Sequence, residues 1–212
     1  MTPVALTAVA DDRIATVVTT LEMRQRPPLR PTPASPLRLV RWDRPSAARY
    51  RALFTRIGAP WLWFSRLALS EEALLAIIHA STTEIYVVAD PAGIEVGMLE
   101  LDLGTSGECT LAYFGLIPEL AGQGHGRWLM AEALTRAWRG GVTRVVVNTC
   151  TLDHPSALNF YRAQGFTATS RTVETFVDPR LSGLLPPDAA PQIPCLDSRR
   201  QATIATSASA TS

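Results

Sequence analysis

The chain has no surplus of charge. Its 212 residues include 20 basic and 19 acidic ones, a formal net charge of +1, so nothing marks it electrostatically for nucleic acid or an anionic membrane surface. Cysteine is scarce: Cys109, Cys150 and Cys195 are odd in number and lack paired spacing. They suggest neither a disulfide framework nor a metal site, and reduced thiols in a cytoplasmic protein are the expectation. No run of about 20 apolar residues occurs, so no membrane span is expected. The amino terminus lacks the basic start and continuous apolar core of a secretory signal, and no internal repeat is evident.

What is present suits one domain of middling size with tails. Residues 1–36 pass into a stretch crowded with proline, which forbids regular structure. They read as an amino-terminal arm, with 15–23 β-rich enough to be an added edge strand or else part of an irregular arm. Beyond Asp178 the prolines and the Ser/Ala/Thr ending read as a wrap over 178–212 that fades into a disordered tail.

Between these, 37–41 alternates as a strand. Residues 45–57 carry apolar side chains at 47, 50, 53, 54 and 57, the stripe of an amphipathic helix. Ser70 caps a second helix with Glu71 and Glu72 in its first turn, and His79 at its far end reads as a surface or capping residue. Strands over 84–89 and 94–103 form a hairpin across the turn at 90–93. A strand over 109–117 follows, then a helix over 126–139 ended by Gly140 and Gly141, a strand over 144–150, a short helix ended by Gly165, and a strand over 167–177. Pro155 suits the first turn of that short helix, with Asp153 or His154 as its cap. This order predicts a mixed α/β sheet with helices on both faces.

The stretch 113–130 organises the rest. An apolar strand ends at Pro118, and a turn carrying Gly122, Gly124 and Gly126 leads into a helix. Such a turn presents unpaired N–H groups and the positive end of the helix dipole, which favours a phosphate. A dinucleotide fingerprint counted from Gly122 needs a third glycine where Arg127 stands. A nucleoside-triphosphate loop needs Lys and Ser or Thr where Arg127 and Trp128 stand. Neither fits.

The pattern that remains resembles the acyl-coenzyme-A loop of the GNAT superfamily of N-acetyltransferases, with Gly124 and Gly126 in the last two places of its motif and Ala121 where the family has Gln or Arg. A second segment is similar to the family's carboxy-terminal motif: Ala157, Tyr161, Gly165 and Phe166 match it, with His154 where many members have Asn. The resemblance covers about 37–177. It implies a GNAT-type mixed, mostly antiparallel, splayed sheet flanked by helices on both faces, and acetyl-CoA as co-substrate. It implies cofactor contacts from Leu116, Ile117, Gly122, Gln123, Gly124, His125, Gly126 and Arg127, and Tyr161 beside the cofactor sulfur as proton donor. It also points to an acceptor wall between the first and second strands, where Trp61, Trp63 and Phe64 stand.

Acyl transfer to an amine needs a neutral nucleophile, so a base or a water chain must deprotonate an ammonium whose pKa is about 10. Glu100 and Asp102 share one face of a strand. The family often uses a Glu on this strand, which points to Glu100; His154 is a second base because imidazole titrates near neutrality. Asn148, Thr149, Asp153 and Asn159 are further lining residues. The expected partner is a small-molecule or peptide amine, with no nucleic acid and no membrane, and a homodimer is compatible with the sequence. Two other readings stay open: a non-catalytic acyl-CoA sensor, and an interaction module working through the Pro-rich arm.

Overall fold

Two periodicities separate the elements, since strand side chains alternate across a sheet while helical ones return every three or four residues. The computed structural model describes residues 5–28 and 32–196; the expectations for 1–4, 29–31 and 197–212 lie outside the described residues. Seven strands and four helices are found among them: β1 (Arg13–Met23), β2 (Arg38–Trp42), α1 (Ala47–Gly58), α2 (Glu71–Ile78), β3 (Thr83–Ala89), β4 (Glu95–Asp102), β5 (Glu108–Leu116), α3 (His125–Ala137), β6 (Arg144–Cys150), α4 (Ala157–Ala163) and β7 (Thr167–Val177). None of these helices is long and apolar enough to cross a membrane.

The strands form one sheet in the order β2-β3-β4-β5-β6-β1-β7. Every neighbouring pair is antiparallel except β5 with β6. Alternation sends Ile85, Val87 and Met98 to one face, where they meet Tyr50, Phe54 and Ile57 of α1 and Leu74 of α2. It sends Val88, Leu99 and Leu101 to the other, where they meet Trp128, Leu129 and Ala133 of α3 and Tyr161 of α4. The sheet is thus covered on both faces, as the element order predicts. Helix starts follow their caps: Ser46 Oγ accepts from Arg49 N at 3.3 Å and Ser70 Oγ from Ala73 N at 3.1 Å.

The strand read as an edge addition is an interior one. β1 pairs with β6 from Val18 to Met23 and with β7 from Arg13 to Glu22. Its inward residues Leu21 and Met23 join the main core, so the folded unit already includes part of the amino-terminal 36 residues. At the other end, the buried Arg180 pairs with Asp178 at 2.7 Å and donates to the carbonyls of Ala189, Ala190, Ile193 and Pro194. This holds residues 178–196 over Ile14 and Leu62.

The feature that shapes the site is a bulge. Glu100 lies opposite Tyr113 and Leu101 opposite Leu111, leaving Ala112 without a partner on β4. An extra residue bends a strand and increases its twist. The parallel ladder between β5 and β6 accordingly runs only from Glu108 with Arg144 to Leu111 with Val147, after which the two strands part.

The carboxy-terminal end of α3 is tied to the sheet by charge. Arg139 donates to both oxygens of Glu84 at 3.0 and 2.7 Å, and Arg41 pairs with the same carboxylate at 2.7 Å. The Arg139 hydrogen bonds, against partial burial and with help from Arg41 and Tyr86, lower the Glu84 pKa from 4.5 to about 2. A carboxyl held below its unfolded pKa contributes stability that is full above the unfolded value and is lost as pH falls through the folded one. Urea unfolding as a function of pH should therefore show a loss of stability from about pH 4.5 towards 2 that is smaller in Glu84→Gln; identical acid limbs would remove this carboxylate from the balance.

Candidate active site

Where β5 and β6 diverge, a cavity of about 730 Å³ opens, within the size range of small-molecule and cofactor sites. One wall is β5 from Ala112 onward; another is Val147 to Cys150 of β6. The turn before α3 closes one end, and Phe160 and Tyr161 of α4, Trp61, Trp63 and Glu174 complete it. The cavity passes through the sheet. Phe114, Leu116, Phe160 and Tyr161 belong to the core on the α3 face, whereas Trp63 and Tyr113 pack on the α1 face.

The turn before α3 is built for an anion. Gly122 and Gly124 have φ of 75° and 86°, a region open to glycine and costly for other residues. The chain can therefore turn so that the N–H groups of residues 122–126 have no acceptor among the described residues, while Leu120, Ala121 and Arg127 donate to Ile117, Pro118 and Gly124. Donors without partners at the start of a 13-residue helix attract phosphate through their hydrogens and the helix dipole together. Gly122, Gly124, Gly126 and Arg127 line the cavity. Gln123 and His125 face elsewhere: Gln123 Nε2 donates to Glu119 O at 2.8 Å, and His125 Nδ1 meets Ser35 Oγ at 3.0 Å.

The open edge of β5 supplies a second set of groups. Ile117 N–H donates to Val96 O at 2.9 Å and Ile117 O accepts from Leu120 N. The N–H of Ile117 is therefore not available to a ligand, contrary to the expectation. Because an antiparallel strand turns successive residues to opposite sides, the same bond leaves Leu116 and Phe114 with their N–H and C=O toward the gap.

The two bases expected from the sequence are both engaged. Glu100 is 0% exposed and lies outside the cavity lining. Its Oε2 accepts from Tyr50 Oη at 2.5 Å and its Oε1 from Arg66 at 2.6 Å. Glu100 is thus the centre of a buried polar network rather than a group facing substrate. The Tyr50 hydroxyl is pushed up by burial and by the Glu100 charge, and Arg66, which burial would lower, is raised by that carboxylate. His154 does line the cavity, with Trp61 packed edge-on at 5.3 Å. Its Nδ1 accepts from Ser156 N at 3.2 Å, so the neutral ring carries its proton on Nε2 and neither nitrogen is a free acceptor.

Tyr161 is buried yet lines the cavity, and its hydroxyl has no hydrogen-bond partner among the described residues. Burial and the charge of Asp153 raise its pKa. Trp61 and Trp63 also line the cavity, whereas Phe64 stacks on Phe176 at 4.6 Å outside it. Asn148, Thr149 and Asp153 reach the lining and Asn159 does not. Asp153 does not cap α4, which begins after Ser156; its Oδ2 accepts from Thr149 Oγ1 at 2.7 Å and Cys150 N at 2.9 Å. Glu174 on β7 is an ionisable lining residue that sequence reasoning missed, along with apolar ones such as Val18, Phe114 and Phe160. Only the pairing of β7 with β1, set by residues more than a hundred positions away, brings it there.

Comparison with known proteins gives a family and a fold. The model of the acetyltransferase (GNAT) family matches residues 50–166. No curated protein matches the chain in sequence. Among solved structures, a functionally unknown conserved protein from Staphylococcus epidermidis superposes with a TM-score of 0.52 at 12% identity, covering 78% of this chain and 63% of that one. A GCN5-related N-acetyltransferase from Sphaerobacter thermophilus gives 0.50 at 20%, covering 76% and 51%. A spermidine N-acetyltransferase variant from Vibrio cholerae gives 0.50 at 17%, covering 69% and 96%. The match thus spans 63% and 51% of the first two of these chains.

Removing Glu100 should act on stability. Glu100→Ala leaves Arg66 and Tyr50 without their partner, and breaking a buried pair from one side costs about 3–5 kcal/mol. Denaturant unfolding should show a loss of that order, and the pH dependence of turnover should keep its shape; a changed pH profile in a stably folded variant would return Glu100 to the chemistry.

Proposed function

The chain belongs to the GNAT acetyltransferase family, and from that premise we propose that it transfers an acetyl group from acetyl-CoA to the amine of a small molecule or peptide, by direct attack in a ternary complex. The observation that carries the reading is the run of N–H groups at 122–126, without acceptors among the described residues, on a turn whose Gly122, Gly124 and Gly126 line the same cavity as Tyr161. These donors, with Arg127 beside them, suit the pyrophosphate of acetyl-CoA. The outward N–H and C=O groups of Phe114 and Leu116 suit the amides of its pantetheine arm, and an N–H on this edge would polarise the thioester carbonyl. Bound there, the co-substrate would supply an activated acyl carbon and a thiolate leaving group.

Each remaining requirement falls to the chain or to solvent. Tyr161 Oη, with its raised pKa, keeps its proton at neutral pH. It is the donor we assign to the departing sulfur, whose conjugate thiol has a pKa of about 8.5. Because the phenol is the weaker acid of the two, its hydrogen bond stabilises the developing thiolate before any full proton transfer. With Glu100 buried in its own network and His154 Nδ1 occupied, the ammonium loses its proton to water in the open cavity.

Two measurements test this. Tyr161→Phe should lower kcat by about 10- to 10⁴-fold, the range for loss of a positioned acid, while affinity for coenzyme A measured by calorimetry stays close to that of the parent; equal turnover would remove Tyr161 from the mechanism. For the parent protein, kcat/KM should climb with pH toward the pKa of the amine, about 10, with no plateau near the imidazole value of about 6.5. A plateau there would restore His154 as the base.

A further inference from the structure

Resting on the acetyltransfer reading, we propose that the acceptor is a monoamine cation on a flat apolar body that carries no carboxylate, and that Glu174 is the residue selecting it. The argument starts from which charges face the cavity. Among its described lining residues the ionisable groups other than Tyr and Cys are Arg127, Asp153, His154 and Glu174. Arg127 follows directly on the phosphate turn, and Asp153 is held by Thr149 and the Cys150 amide.

Glu174 is different. It makes no hydrogen bond or ion pair with any described residue, and its charge is felt by Tyr113, one of the factors raising that hydroxyl. Its place in the fold puts it at the acceptor end. Glu174 pairs with Thr16 on β1 and shares a strand face with Phe176, which stacks on Phe64. It therefore lies on the face of the sheet that carries the 59–67 segment, away from α3 and the phosphate turn.

The rest of that end is flat and apolar. Trp61 and Trp63 line it with Tyr113, and Trp63 lies 5.2 Å from the Tyr113 ring, whose hydroxyl is taken by Ser65 Oγ at 2.5 Å. Aromatic faces attract a cation as well as an apolar ring. Among the described lining residues no arginine at this end is free to receive a carboxylate, and His154 beside Trp61 offers a single N–H, on Nε2. The chain has no lysine at all, its 20 basic residues being arginine, and Arg66, which lies over Tyr113, is bound to Glu100. An α-amino acid would set its carboxylate against Glu174 with no arginine there to neutralise it. A polyamine would find one uncommitted carboxylate for several charges.

The test uses matched pairs with acetyl-CoA: tryptamine against tryptophan, 2-phenylethylamine against phenylalanine, and spermidine as the polyamine. Each decarboxylated amine should exceed its amino acid in kcat/KM by about 10²-fold, the order set by juxtaposing like charges, and should exceed spermidine. Glu174→Gln should raise KM for the amines about tenfold with kcat little changed, and Glu174→Arg should reverse the preference within each pair, with thermal midpoints equal to the parent because the side chain is exposed. Calorimetric titration of the same pairs in the presence of coenzyme A reads the preference without turnover. Absence of acetyl transfer to every amine would sink the acetyltransferase reading. Equal or stronger binding of the amino acids or of spermidine, or unchanged constants in Glu174→Gln, would overturn this inference and leave that reading standing.

Discussion

One unpaired residue, Ala112, decides the shape of this protein. A β5 strand in full register on both sides would have kept its parallel ladder with β6 and closed the sheet. The bulge spends one residue without a partner, and the bend it imposes ends that ladder after four positions. Every element of the proposed site depends on this separation. The outward amides of Phe114 and Leu116 are free only because β6 has moved away, and the turn before α3 meets the cavity only because β5 leads into it. In the proposed reaction, passage from one face of the sheet to the other would let a long ligand and a second, smaller one approach a common point from opposite sides.

Beside this opening the protein keeps a polar network that faces inward. Tyr50 and Arg66 both donate to Glu100 between α1 and β4, with Arg66 also covering the ring of Tyr113 and its Nε left without a partner among the described residues. A buried ion pair of this kind is weak evidence for net stability, since desolvation offsets most of the attraction. It does hold Tyr113 and the 61–66 segment in one arrangement, and thereby the wall against which an acceptor would rest. The same two residue types that could serve as base and substrate anchor in a cavity serve here as internal supports.

Much of the fold was legible in the sequence. The stripe at 47, 50, 53, 54 and 57 marks the buried face of α1, Ser70 marks a helix start, and the strand over 167–177 has the bounds expected. The shape of the turn before α3 was legible because it is local: glycines with positive φ directly before a helix. What could not be read was set at long range. Nothing in residues 13–23 says that they will lie between β6 and β7, and alternation alone could not tell that the inner face at Glu100 meets Tyr50 and Arg66 instead of a cavity. Glu174 was invisible for the same reason, because its ladder partner is Thr16 and the cavity it lines is otherwise built by residues far from it in the chain.

The interior place of β1 has a consequence for how the molecule is made. Val18 finds its partner at Cys150, so β1, the first of the seven described strands in chain order, must wait until most of the later strands have been synthesised before it gains either neighbour. Contacts this distant along the chain slow folding, and an unpaired strand rich in β-branched residues is a template for mispairing meanwhile. The polypeptide cannot complete its sheet progressively from the amino terminus. β1 can take its place only after β6 and β7, the two strands it lies between, have been made.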